Sequence, residues 1–573
     1  SVVVARNNTI DSLLILVLLL AVYYVSRAVE TGSVYRLLVC AFCIGLGFNI
    51  KMLQAYLLVP ACALAYLLGA PIHWRTRLWH LALAGLLLLV ISLCWAIVVD
   101  LTPATLRPFV SDSGTNSELS LILGYNGLGR VLQLFAPNLQ TIHIFGIAID
   151  LTLAPGSAPY IGSPGLLRLF NQGIGNQISW FLPLAVAGLC AASWQTCRHL
   201  PLKQAGVALL IWGGWLVTAL LYFSFARFFH LYYLTMLAPP LAALVGIALV
   251  ILWREYRRAG PFWWGLPLAL VCNALGQGII VQAIIALAIS VHSNPPWSQW
   301  ITPLITGGCL LMACGLVLLY CWSQKRVQTA RVLLLMSLFL LLVAPLIWDG
   351  FSLESGSGGI WLPQAGPSQP INFAPTSPGQ RMIGEISQEP VVDSNKSHTD
   401  PVSTQQLEST SLPEQQPDSL QSDIPAALVI AGPHWNVLDP RLIHYLQAQQ
   451  GHATYLAATE TATYASVLIL ATGKPVMTLG GYQGWDRILT PSQLSHLVAT
   501  GVVRFFYLSA GQTRAFSPPP GAFSSDGERH LNVDLEQWVR TSCSPVPPHL
   551  WQTTSPPQNA YPPNNLFLYD CAK

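Results

Sequence analysis

Charge is scarce in this sequence. Asp, Glu, Lys and Arg make up 9% of 573 residues and hydrophobic residues 53%, whereas an ordinary soluble domain carries about 25% charged residues. That shortage, with a mean hydropathy of +0.50, excludes a water-soluble protein over the whole length. No basic stripe with interleaved aromatics is present, which excludes nucleic-acid binding as the main activity, and the net charge of +3 is too small to suggest it. CxxC, HExxH and other metal-ligand spacings are missing. The glycine-rich GYNGLGR stretch is not followed by GK[ST], so it is not a P-loop.

What is present is a series of long apolar runs. A hydrocarbon core of about 30 Å needs roughly 20 apolar residues per helix, and ten candidate spans are read at about 12–26, 34–50, 52–69, 80–99, 178–194, 205–225, 230–252, 263–289, 301–322 and 331–348. The second and third are divided only by Lys51, which suggests a tight hairpin. Each span has to satisfy its own backbone, so helices are expected. The fold class is therefore mainly α: a polytopic transmembrane helical bundle over 1–348, with a long loop at 101–177.

Basic residues fall in alternate short loops. One set carries Arg27 and Arg36; Arg75 and Arg77; Arg198 and Lys203; Arg254, Arg257 and Arg258; then Lys325, Arg326 and Arg331, while the other set carries little beyond Lys51 and Arg227. By the positive-inside rule the N-terminus, loop 101–177 and everything after 349 lie outside the cytoplasm. The opening SVVVARNNTID has no methionine and no signal-peptide n-region, and is read as the start of an N-terminally truncated chain.

Residues 349–423 are rich in Ser, Pro, Gln and Gly and poor in aromatics, a composition that reads as a disordered tether. Periodicity returns over 424–573. Strands are expected at 426–431, 453–458, 475–479 and 502–509, and helices at 440–449, 461–471 and 491–500, which makes a small extracytoplasmic α/β domain with a mostly parallel sheet. Ten of the twelve cysteines lie in spans or at their inner ends, where thiols behave as small hydrophobes. Cys543 and Cys571 are the two in the outer domain, and a disulfide between them suits an oxidising compartment.

Ionisable groups at membrane depth are the first candidates for function. Lys51 either holds a lipid phosphate or snorkels to the interface. Asp11, at the mouth of the first span, could orient a sugar hydroxyl, bind a metal or act as a base, or could simply cap its helix. In NSELSLILGYNGLGRVLQLF, residues 116–135, Tyr125, Asn126 and Arg130 offer an aromatic, an amide and a phosphate partner; a plain interfacial turn fits as well. Arg227, His230, Tyr232 and Tyr233 stand at one end of the seventh span, either as an interfacial belt or as ligands.

Together RNNTIDSLL, GLGFNIKMLQAYLLVPA, SELSLILGYNGLGR, FFHLYYLTMLAPPLAALVG and LILATGKPVMTLGGYQGWDRILT resemble bacterial members of the dolichyl-phosphate-mannose protein mannosyltransferase superfamily, related to the aminoarabinose transferases of lipid A modification. The resemblance runs through the chain except the 349–423 tether. It implies a GT-C fold and transfer of a sugar from a polyprenyl-phosphate donor, with inversion, to a protein or lipid acceptor outside the cytoplasm. It also implies more spans than the ten counted and a principal acidic base in an outer loop upstream of these residues, so that these residues alone are expected to be inactive. Asp11 matches the family's second acidic position and Lys51 its carrier-phosphate lysine. Arg130 and Arg227 are expected as further phosphate partners, and Tyr125, Asn126, His230 and Tyr233 as substrate contacts. No cofactor is firmly implied, and a divalent metal stays open. A transporter, or a non-catalytic envelope assembly protein, is the rival reading; internal repeats and helices broken at the midplane, which a transporter should show, are not clear.

Overall fold

The computed structural model describes residues 2–6, 9–103, 106–111, 113, 116–124, 126, 141–144, 147–150, 162, 164–171, 174–196, 204–226, 229–290, 298–322, 327–354, 365, 439–481, 484, 486–509, 533–553 and 566–572. Arg130, Arg227 and Tyr125, the strand expected at 426–431 and nearly all of the 349–423 tether lie outside them. The chain forms two units, and the second, 368–430, falls wholly outside the described residues.

Among the described residues, nine helical stretches are long and apolar enough to cross a membrane. The protein is a multi-pass membrane protein. Its first helices are α1 (Asp11–Thr31), α2 (Val34–Lys51), α3 (Val59–Gly69) and α4 (Trp74–Leu101). One of the nine stretches, Val34–Gly69, is not a single rod. Lys51 at φ −152° and Met52 at φ 35°, ψ −129° break it, and the Phe48 and Tyr56 rings then meet at 4.9 Å, where eight residues of straight helix would separate them by about 12 Å. At the far end the Tyr66 hydroxyl donates to Gly32 O at 3.3 Å, bringing the end of α3 back to the start of α2. The hairpin expected at Lys51 is therefore present, and Asp11 and Lys51 share the end of the bundle opposite Arg27, Arg36, Arg75 and Arg77.

A short helix α5 (Glu118–Leu123) and a two-stranded antiparallel ribbon, β1 (Thr141–Ile144) with β2 (Ile147–Asp150), follow. The bundle continues with α6 (Leu182–Thr196), α7 (Gln204–Phe225), α8 (Ala238–Arg257), α9 (Gly265–Ser290), α10 (Ser298–Trp322) and α11 (Val327–Glu354). The last of these runs past the boundary read at 348. Lipid offers little hydrophobic drive for helix pairing, so close approach and polar contacts take over. A Cβ on Gly214 would fall 2.8 Å from Ala61 Cβ, and one on Gly188 would fall 2.8 Å from Ala248 Cβ. Gly188→Val is expected to overpack the α6–α8 seam by about 1–3 kcal/mol, seen as a lower thermal midpoint in detergent; an unchanged midpoint would show that the seam can open without loss.

Buried amides in α9 do similar work. Asn273 Oδ1 accepts from Leu184 N at 3.2 Å while its Nδ2 donates to Trp180 O at 3.1 Å, so the side chain inserts between a donor and an acceptor that a regular helix would join. Gln277 Nε2 donates to Trp180 O at 3.0 Å and to Leu341 O at 2.9 Å, tying α9 to both α6 and α11.

The C-terminal region is a five-stranded sheet of order β4-β3-β5-β7-β6. Its strands are β3 (Ala458–Thr459), β4 (Met477–Thr478), β5 (Phe505–Ser509), β6 (Ser544–Pro545) and β7 (Leu566–Asp570). Its helices are α12 (Pro440–Gln449), α13 (Ala462–Thr472), α14 (Pro491–Ala499) and α15 (Val533–Ser542). β5 is apolar on both faces: Phe505 and Tyr507 pack with Leu442, Leu446 and Leu468, and Phe506 and Leu508 with Leu494, Leu535 and Val539. Alternation of period two thus places α12 and α13 on one face and α14 and α15 on the other. The sheet is less parallel than expected. β4, β3 and β5 run parallel, but β7 pairs antiparallel with both β5 and β6.

Arg504 clamps the β5–β7 pair, its Nε and Nη2 lying 2.8 and 2.6 Å from the Asp570 carboxylate. The Cys543–Cys571 disulfide joins the end of α15 to the end of β7. On α15, burial and then the charge of Glu460 push the Glu536 carboxyl up to about 7 against the pull of Arg540. The folded state therefore holds the proton more tightly than the unfolded chain, so stability is full below about 4.5 and falls as pH rises to about 7, by up to about 3 kcal/mol. Hydrogen-exchange protection of α15, corrected for intrinsic rate, should drop between pH 5 and 8 and should stay level in Glu536→Gln. A level profile in the parent protein would refute the assignment.

Candidate active site

Two unusual helical segments build the site. Met52–Leu58 and Leu231–Leu237 are both 3₁₀ helices of seven residues, longer than the three or four typical of that form, which often marks strain or function. Each runs into an α-helix with proline in its first turn, Pro60 before ACALAY and Pro239 and Pro240 before LAALVG. Proline has no N–H to give to the carbonyl one α-turn back, so the preceding turn tightens. Gln54 Nε2 joins the two segments by donating to Tyr233 O at 3.4 Å, and the Thr218 hydroxyl on α7 secures Leu57 O at 2.7 Å. Met52, a non-glycine residue at positive φ, is strained by about 1–3 kcal/mol, as residues at functional sites often are.

Lys51 and Asp11, read in sequence as separate candidates, meet here. Lys51 Nζ lies 2.6 Å from both Asp11 oxygens; the lysine side chain is 12% exposed and the aspartate 0%. The N-cap residue of α1, Ile10, gives no side-chain cap; Asp11 is the first residue of the helix, and its carboxylate turns onto Lys51. Tyr232 and Tyr233 present their rings to the same ammonium. His230 stacks on Tyr232 at 5.5 Å and meets Tyr233 edge-on at 5.4 Å. Four of the expected site residues, Asp11, Lys51, His230 and Tyr233, thus come together from positions up to 222 residues apart, 11 to 233.

Asn126 belongs to another piece of the surroundings. Its amide donates to Leu121 O at 3.0 Å just beyond α5. That helix is anchored by Asp100, at the end of α4, which accepts from Ser117 Oγ at 2.8 Å, Glu118 N at 2.8 Å and Leu119 N at 3.0 Å and pairs with Arg107 at 3.2 Å. Burial, with the charge of Asp100, raises the Glu118 carboxyl above its ordinary value. Asp100 was not anticipated from sequence.

Neither was Arg168. It is 4% exposed and donates to Phe223 O at 3.4 Å, to Ala226 O, and to Gly162 O at 3.0 Å, with Phe229 5.0 Å from its guanidinium. Those carbonyls close the C-terminal end of α7, so Arg168 holds the segment that leads into His230, Tyr232 and Tyr233. A charge within the apolar GLLRLF stretch was the one signal available.

Comparison with known proteins finds relatives among the mannosyltransferases. Residues 1–95, which contain both Asp11 and Lys51, match the family described as dolichyl-phosphate-mannose-protein mannosyltransferase. That segment of the chain is similar to the mannosyltransferase family. Residues 442–542 match a second family model, "Putative mannosyltransferase YkcB-like, C-terminal". The chain is 29% identical over 97% of its length to "Putative mannosyltransferase YkcB" of Bacillus subtilis (strain 168), covering 76% of that protein. It is also 29% identical over 89% of its length to "Putative mannosyltransferase YycA" of the same organism, covering 74% of it. No solved structure matches. The resemblance drawn from the motifs is borne out, and a GT-C membrane bundle fits the mannosyltransferase domain. Tyr232 and Tyr233 lie outside both matched segments, and their approach to Lys51 is visible only in three dimensions.

The donor set does not favour a metal at Asp11. Both carboxylate oxygens face an ammonium, and among the described residues no group of three or more His, Cys, Asp or Glu side chains gathers as a metal site.

Proposed function

We propose that this membrane glycosyltransferase moves a sugar, mannose or a close relative, from a polyprenyl-phosphate carrier to a protein or lipid acceptor on the non-cytoplasmic side, with inversion at the anomeric carbon. The observation that carries the reading is the buried Lys51–Asp11 pair inside the mannosyltransferase-family segment, at the end of the bundle away from the arginine-rich loops. A polyprenyl chain stays in lipid, so its phosphate has to be met at the bilayer surface. Lys51 supplies a cation there, and Arg130 and Arg227 are proposed to join it.

In the reaction the acceptor hydroxyl oxygen attacks the anomeric carbon from the side opposite the phosphate. The carbon–oxygen bond to phosphate breaks, and its electron pair leaves on the phosphate oxygen, where Lys51 stabilises the charge. The hydroxyl proton goes to a carboxylate. Asp11 is the candidate, because a phosphate that takes over hydrogen bonds of the Lys51 ammonium frees one of its oxygens to accept that proton. Tyr125, Asn126, His230 and Tyr233 are proposed to contact the sugar. The Cys543–Cys571 disulfide and the basic-loop asymmetry support placing 424–573 outside the cytoplasm as a separate domain beyond the tether.

The test is transfer itself. The full-length protein, purified in lipid nanodiscs, is given a polyprenyl phosphate bearing ¹³C-labelled mannose and a hydroxyl acceptor. Label on the acceptor with inverted anomeric configuration is the expected result. Label that stays on the carrier with acceptor at saturation would return the bundle to the transporter or assembly-protein reading.

A further inference from the structure

The ammonium of Lys51 is held by more than its carboxylate. Its Nζ lies 4.5 Å from the ring centroid of Tyr232 and 3.8 Å from that of Tyr233. The two rings meet edge to face at 4.9 Å with an interplanar angle of 80°, so they form two walls of a corner. Adjacent residues of a 3₁₀ helix point about 120° apart; two neighbouring rings can face one charge only when that charge sits in the angle between them. An α-helix at this place would turn one of the rings differently, which gives the long 3₁₀ segment Leu231–Leu237 a purpose. His230 contacts both rings, parallel to Tyr232 at 6° and edge-on to Tyr233 at 82°.

We propose that Tyr232 and Tyr233 are positioning residues whose ring faces hold the Lys51 ammonium in place when the carrier phosphate takes over from Asp11. The proposal rests on the reading of Lys51 as the phosphate partner. A ring face attracts the cation through its quadrupole and is not an anion, so it does not compete with phosphate for the charge. An interfacial tyrosine belt also places rings at this depth, but a belt does not require two rings at right angles around one ammonium.

The experiment replaces Tyr233 with leucine, with phenylalanine, and with phenylalanines carrying one, two and three ring fluorines, and measures binding of undecaprenyl phosphate in nanodiscs. Tyr233→Leu is expected to weaken binding about tenfold, within the range of a desolvated cation–π contact. Tyr233→Phe should restore most of that loss, and each added fluorine should take part of it away again, since fluorine drains the ring face with little change of shape. Equal affinities across the fluorinated series would overturn the proposal, whether or not Tyr233→Leu folds. A second readout separates this failure from that of the functional reading: thermal midpoints of Lys51→Met, Tyr233→Leu and the double variant. Non-additive midpoints in a protein that binds no undecaprenyl phosphate would keep the aromatic corner and sink the carrier reading. Binding with a flat fluorine series would do the reverse.

Discussion

Lys51→Met is expected to weaken binding of a polyprenyl phosphate by roughly 10- to 150-fold, the equivalent of about 1.5–3 kcal/mol for a hydrogen bond to a charged group. Methionine keeps the apolar stem beside Tyr232 and Tyr233 and removes only the ammonium. It also leaves the buried Asp11 carboxylate without that partner, so the variant is to be compared with Asp11→Asn/Lys51→Met, in which neither charge remains. Both should lose carrier binding to the same degree. Lys51→Arg keeps the charge but changes reach and geometry, and should fall between. A snorkelling lysine would be replaced with little consequence, so unchanged affinity in correctly inserted Lys51→Met would return the residue to an interfacial anchor.

The second large effect concerns stability. Asp11→Leu leaves an ammonium that is 12% exposed without its counter-ion, and breaking a buried pair in this way costs about 3–5 kcal/mol. The expected result is a marked fall in thermal midpoint. Adding Lys51→Met to Asp11→Leu removes the stranded charge and should recover most of the fall, because replacing both members of a buried pair with apolar groups is often close to neutral. Carrier binding, by contrast, should be lost in the double variant, which lacks the Lys51 ammonium. A parental midpoint in Asp11→Leu would mean that the pair contributes nothing to the packing of α1 against α2.

These effects depend on a pairing that the linear sequence only half displays. Hydropathy marks the spans, because twenty apolar residues have few other uses, and the lone Lys51 between two runs marks a reversal. From that reversal it follows that the start of α1 and the end of α2 share one end of the bundle, so Asp11 and Lys51 could have been paired by topology alone. Their 2.6 Å contact could not, since helix rotation decides which residues at an end face each other. The aromatic corner is harder still. It needs a 3₁₀ turn, set by proline in the following helix, and sequence periodicity does not distinguish that turn from the first turn of an α-helix.

Arg168 and Asp100 escaped notice for a different reason. Each acts mainly on backbone groups, Arg168 on the carbonyls ending α7 and Asp100 on the amides opening α5, and backbone partners leave no residue pattern to read. In the C-terminal region α12, α13, α14 and the parallel strands follow from alternating apolar runs and turn residues, whereas α15 (Val533–Ser542) was not anticipated. The antiparallel β7 does not: LFLYD is five residues long and gains its place from a β5 partner some sixty residues earlier.

The most direct test of the carrier site uses a polyprenyl phosphate with a photoreactive diazirine next to the phosphate, irradiated on the protein in nanodiscs and mapped by mass spectrometry. Labelling should concentrate in the peptides that hold Met52–Leu58 and Leu231–Leu237, compete with unmodified polyprenyl phosphate, and vanish in Lys51→Met. Competable labelling confined to other parts of the chain, unaffected by Lys51→Met, would contradict the site.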